Sequence, residues 1–103
     1  MQFLGVMRGH GMLTSSNDGQ DYGSVEYDID GFRTQTGEVM ASGELRLSSE
    51  RLAQAFGRND LRLHIEDGTE LTLRFSGKQV RVGADAAHID ITGGLPPPKK
   101  WRR

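Results

Sequence analysis

The sequence predicts a mostly β protein: a small antiparallel β-barrel, or a sandwich, of roughly six to seven strands with one short helix, in the order βββ-α-βββ with a final β. Two observations carry that expectation. Segments of alternating apolar and polar residues recur along the chain, and 14 glycines punctuate them as turns. A single short stretch, Ser48–Gly57, breaks that alternation with helical spacing. A closed barrel is favoured over a sandwich because the meanders run almost unbroken and closure removes exposed strand edges. The helix is expected to plug an open end of the barrel.

Strand pairing follows from facing, because directly opposed residues point to the same side of a sheet. In residues 3–14 and 23–34, a turn at Asn17-Asp18-Gly19 sets Met7 against Ile29, Arg8 against Asp28 and His10 against Glu26, with Gly9 beneath the Tyr27 ring. A loop at Gln35-Thr36-Gly37 then brings residues 38–47 alongside, pairing Tyr27 with Leu45 and Ile29 with Gly43. It also faces Asp28 with Glu44, a like-charge match.

The next segment, Ser48-Ser49-Glu50-Arg51-Leu52-Ala53-Gln54-Ala55-Phe56-Gly57, reads as a helix of about two turns: a serine cap, an early acid, Leu52 and Phe56 four apart, and a closing glycine. In the hairpin that follows, a two-residue Asp67-Gly68 loop would oppose Leu63 to Thr72 and mix the two faces. A three-residue loop Glu66-Asp67-Gly68, with Gly68 left-handed, opposes Leu63 to Leu71, Leu61 to Leu73, His64 to Glu70 and Asp60 to Arg74. A Gly77-Lys78 turn would then set Phe75 against Val80 and Leu73 against Val82. A last strand near His88–Thr92 turns Ile89 and Ile91 inward. Gly93-Gly94-Leu95-Pro96-Pro97-Pro98 ends regular structure, so residues 1–95 are expected to form the barrel and residues 96–103 a flexible, Pro-rich basic tail.

At 103 residues the chain is about one domain. It contains no cysteine, which excludes disulfides, thiolate metal sites and a cysteine nucleophile. The apolar runs are too short for a membrane-spanning helix, and Met1-Gln2-Phe3-Leu4-Gly5 lacks the layout of a signal peptide, so a soluble, cytoplasmic protein is expected. Four of the 13 bases fall in the last eight residues, which hold no acid; residues 1–95 therefore carry nine bases against 14 acids. An acidic body with a basic appendage is unlike a barrel with a basic nucleic-acid-binding face.

Little in the pattern points to catalysis. His10 and His64 face Glu26 and Glu70, a pairing that can orient a general base but that also serves as an ordinary cross-strand pair on a surface. Asp28-Ile29-Asp30-Gly31 alternates acids with core positions, unlike a calcium loop, and Gly5, Gly9 and Gly11 lie within a strand rather than between strand and helix, unlike a phosphate loop. No metal or cofactor site is expected.

Two features suggest contacts instead. With the registers above, Leu4, Phe32 and Met40 form an apolar row on an otherwise charged sheet face, which calls for a cover: the chain's own helix, Leu95 or Trp101, or a second subunit. The other is the tail Lys99, Lys100, Trp101, Arg102 and Arg103, in which four bases flank an indole that could stack on nucleobases. Its alternatives are a solubilising tail, or a Trp docked on its own barrel. The leading expectation is a non-enzymatic protein-interaction module that self-associates. The rival is a module for an anionic polymer such as nucleic acid, and an enzyme ranks third.

Overall fold

The computed structural model describes residues 1–101. Six strands alternate in the expected order with one helix: β1 (Gln2–Ser15), β2 (Asp21–Arg33), β3 (Val39–Arg46), α1 (Ser49–Ala55), β4 (Leu61–Ile65), β5 (Glu70–Phe75) and β6 (Ala86–Gly93). They close into an antiparallel barrel in the order β1-β2-β3-β6-β5-β4. No helix is long and apolar enough to cross a membrane among the described residues.

Most of the strand register is the one that keeps apolar residues on one face. Met7 opposes Ile29, Gly9 opposes Tyr27, Tyr27 opposes Leu45, and Leu63 opposes Leu71. Gly68 takes the left-handed conformation, with φ of 92°. The inward residues of these pairs form the core: Leu13, Ile29, Leu45, Leu63, Leu71 and Ile89 are completely buried.

The expected hairpin after Phe75 does not form. Leu73 opposes Ile91 and Phe75 opposes Ile89, so β5 pairs directly with β6. Isoleucines that bury fully outcompete Val80 and Val82 as partners, and Val82 is left wholly exposed in the connecting loop. On its β6 side Arg74 faces Asp90, 3.9 Å away.

Closure rests on β1, which pairs with β2 nearly throughout and with β4 only over Gly11–Ser15. At the junction a Cβ on Gly11 would come within 2.6 Å of the His64 carbonyl oxygen, so the close approach of β1 to β4 needs a glycine. Two bulges adjust the long β1–β2 ribbon. One adds Leu4 between the Phe3/Phe32 and Gly5/Gly31 pairs; the other adds Tyr22 between Leu13/Gly23 and Thr14/Asp21. Both extra residues turn inward, at 7% and 1% exposure.

The two barrel ends are closed differently. Ser48 caps α1 with its side-chain oxygen accepting from the Arg51 amide, and the helix buries Leu52 and Ala55 completely. Phe56 is the half-buried residue that ends the helix; its ring packs on Phe75 at 5.2 Å between centroids. The helix plugs this end as expected, and Leu52 does the plugging.

The opposite end is stoppered by Trp101. A short 3-10 turn at Pro98–Lys100 returns the chain, and the indole settles over Gly31, where an added Cβ would lie only 2.6 Å from the ring. Its N–H donates to the Pro96 carbonyl at 3.1 Å. The division expected at residue 95 therefore does not separate a packed body from a free tail, because Trp101 is itself a core residue at 7% exposure. An indole has more apolar surface to bury than any other side chain, and a bare glycine inside the barrel mouth offers it a seat.

Two substitutions test this account in denaturant unfolding. Trp101→Ala is expected to cost about 3–5 kcal/mol, the range for deleting a large buried aromatic. Gly68→Val is expected to cost about 1–2 kcal/mol through left-handed strain. An unchanged midpoint for the first would mean that the indole is not part of the core; for the second, that the hairpin turn is different.

Candidate functional site

The outer face of β1, β2, β3 and β6 is laid out in cross-strand rows. His10, Glu26 and Arg46 form one row, and Arg8, Asp28, Glu44 and His88 the next. Arg46 lies 3.1 Å from Glu26 and 2.8 Å from Glu44, His10 is 3.3 Å from Glu26, and Arg8 is 3.1 Å from Asp28. The like-charge match of Asp28 with Glu44 is thus defused from both flanks. Hydrogen bonds from Arg46 and then His10 hold the Glu26 carboxyl below its usual range. All of these groups are well exposed to water, so the lattice contributes little to stability.

Beyond Val6, Asp30, Ser42 and Asp90, the last row is apolar. Here the bulge changes the composition that the sequence implied. Leu4 does not join Phe32 and Met40: it turns into the barrel, and Phe3 takes its place opposite Phe32. The two rings meet edge to face with centroids 5.6 Å apart, and Met40 opposes Phe32 from β3 as expected. Phe3 and Met40 remain 43% and 52% exposed, and Met1 adds a further exposed apolar side chain. A shallow depression between Phe32, Met40 and Ile91 continues this surface. The one local signal for the change was Gly5, a residue type that accommodates bulges, beside Leu4.

Of the expected anion-binding set Lys99, Lys100, Trp101, Arg102 and Arg103, the structure describes the first three. Lys99 and Lys100 are exposed, but Trp101 faces the core with its N–H already bonded, so its ring is not displayed for stacking. Arg102 and Arg103 lie outside the described residues.

Among the histidines, His64 stands out. Its Nε2 is 2.9 Å from the Thr14 hydroxyl, while its Nδ1 is 3.8 Å from Glu70. Hydroxyl, imidazole and carboxylate in line resemble a relay, but the three lie on the convex outer face, and Glu70 is chiefly engaged by Arg62, whose hydrogen bond lowers its pKa. A relay there lacks the enclosed surroundings that make proton transfer useful. No cluster of three or more potential metal ligands occurs among the described residues.

The most perturbed carboxylate is Asp60, at about 2, because the Arg58 guanidinium donates to both of its oxygens, at 2.9 and 2.8 Å. The Asn17 amide donates to it as well, at 3.0 Å, and Arg58 also reaches Asp18 at 3.4 Å. Perturbed groups often mark active sites, but this one ties the β1–β2 loop to the segment entering β4 and faces no cleft. It is a structural clasp. A carboxylate depressed from 3.8 to about 2 favours the folded state above its unfolded pKa, and that contribution fades as pH falls between those values. Asp60→Asn should therefore lower the thermal midpoint at neutral pH, with the gap to wild type narrowing below about pH 4. A constant gap across that window would mean that the clasp does not act through its charge.

No protein-family model, curated protein or solved structure matches this chain.

Proposed function

We propose that this chain is a non-enzymatic protein-interaction module that self-associates through the row formed by Phe3, Phe32 and Met40. The observation that carries the reading is the exposure of that row. Neither α1 nor Trp101 covers it: the helix closes the opposite end, and the indole lies inside the barrel. An aromatic–methionine cluster at the end of a charged face has the composition of an interface centre rather than of solvated surface.

A second copy suits the row because an apolar row is complementary to itself, and a two-fold axis through Phe32 lays Phe3 and Met40 of each copy across the row of the other, the isologous arrangement of most dimers. For the rival anionic-polymer reading, the described residues supply exposed Lys99 and Lys100 but a Trp101 turned into the core, and lysines alone give weak, salt-sensitive attraction.

Sedimentation across a concentration series tests the proposal. Wild type should associate, while Phe3→Glu and Met40→Glu, at exposed positions that leave the core intact, should sediment as monomers with unchanged circular dichroism. Each is expected to cost about 2 kcal/mol of association free energy, typical of a central contact. A wild type that is monomeric at millimolar concentration, or variants that associate as well as it does, would falsify the interface.

A further inference from the structure

Closure of the barrel is incomplete along one strand. β1 has β2 on one side over most of its length, but β4 reaches it only from Gly11 onward, so the stretch from Val6 to His10 lacks a strand partner on its other side. The C-terminal segment that crosses this end forms no backbone hydrogen bond with that stretch among the described residues. Strand edges of this kind are ordinarily paired, covered or blunted, because their free N–H and C=O groups template another strand.

Beside the edge runs a groove of about 900 Å³. Met7 and Ile65 form its apolar walls, Pro96 and Pro97 face them from the C-terminal segment, and Glu66 stands on the rim of the β4–β5 turn. Tyr27 reaches the groove from within the barrel. It is 5% exposed, and its oxygen lies under Gly9, 3.0 Å from where a Cβ would stand, so its hydroxyl stands at the floor of the groove.

The charges at the rim are not equivalent. Arg8 is engaged by Asp28, and Lys100 lies on the side of Asp67, whose carboxylate also accepts from the Thr69 amide. Glu66 has no ion pair among the described residues. The negative potential of this turn extends inward: burial first, then Glu66 and Asp67, raise the pKa of Tyr27.

We infer that this groove binds an extended segment of another protein, added to the β1 edge as a further strand, with a Lys or Arg side chain laid between Met7 and Ile65 toward Glu66 and the Tyr27 hydroxyl. Main-chain hydrogen bonds to β1 supply affinity without regard to sequence, and alternate side chains entering the groove supply selectivity. A long aliphatic stem ending in a cation matches apolar walls that lead to a carboxylate and a hydroxyl oxygen. This surface is separate from the Phe3–Phe32–Met40 row, and the inference does not depend on self-association.

The test pans the immobilised full-length Met40→Glu chain against a phage-displayed random heptapeptide library, then titrates resynthesised binders by amide-resolved NMR. Enriched peptides should carry Lys or Arg flanked by alternating apolar residues, and should shift the amides of Val6–His10 and Glu66–Thr69. N-methylation of alternate peptide amides should weaken binding at least about tenfold, and Glu66→Gln should selectively weaken the Lys- and Arg-bearing peptides by a similar factor. Tyr27→Phe, which keeps the ring and the fold, should weaken them more modestly. No enrichment over bare support, equal binding of N-methylated peptides, or shifts located elsewhere would each overturn the inference. So would protection of the β1 edge that grows with protein concentration alone, since the occupant would then be a second copy.

Discussion

The structure depends on how one strand divides its partners. β1 is the longest strand, and it serves β2 for nearly its full length but β4 for only its last five residues. That split closes the sheet at the helix end and leaves it open at the other. A glycine at position 11 permits the crossover, because β1 and β4 approach too closely there for a side chain. The need for a stopper at the far end, the unpaired edge and the groove beside it all follow from a barrel whose β1–β4 seam seals over only part of its height.

The ends illustrate two ways of completing a small core. At one, a two-turn helix places Leu52 and Ala55 over the barrel mouth. At the other, a short 3-10 turn at Pro98–Lys100 ends in one large side chain, Trp101, that fills the mouth. A chain this short leaves a high fraction of its surface exposed, so each extra buried ring counts for a large share of a marginal net stability. The prolines preceding Trp101 favour this arrangement, because they restrict the unfolded segment and so reduce the entropy lost when the indole docks.

The outer surface divides along the same axis. Over the middle of β1, β2 and β3, charged side chains form a lattice of exposed ion pairs that contributes little energy but opposes edge-to-edge or face-to-face association. Toward the open end the lattice gives way to Phe3, Phe32 and Met40. The bulge at Leu4 produces that boundary. It sends a leucine into the core beneath the indole end and brings a phenylalanine out beside another phenylalanine, so that one extra residue both completes the core and builds the exposed apolar row.

By itself the sequence determined the alternation of strands and helix, the hairpin registers from Val6 to Arg46 and from Leu61 to Phe75, and the identity of most core residues. It could do so because a two-residue period admits one register per hairpin: a slip by one position moves every apolar side chain to the water side. It also located the apolar row at the correct end of the sheet, through Phe32 and Met40. Only the tertiary structure decided which residue of β1 joined that row, since bulging and regular pairing differ locally by a single residue and the choice is made by what Leu4 can bury. Tertiary structure also chose Ile89 and Ile91 over Val80 and Val82 as partners of β5, settled Trp101 among the alternatives the tail left open by seating it in the core, and exposed the groove at Tyr27. These features share one physical cause. Each depends on contacts between segments far apart in the chain, where burial of apolar surface outweighs the local turn and tail signals that the sequence displays.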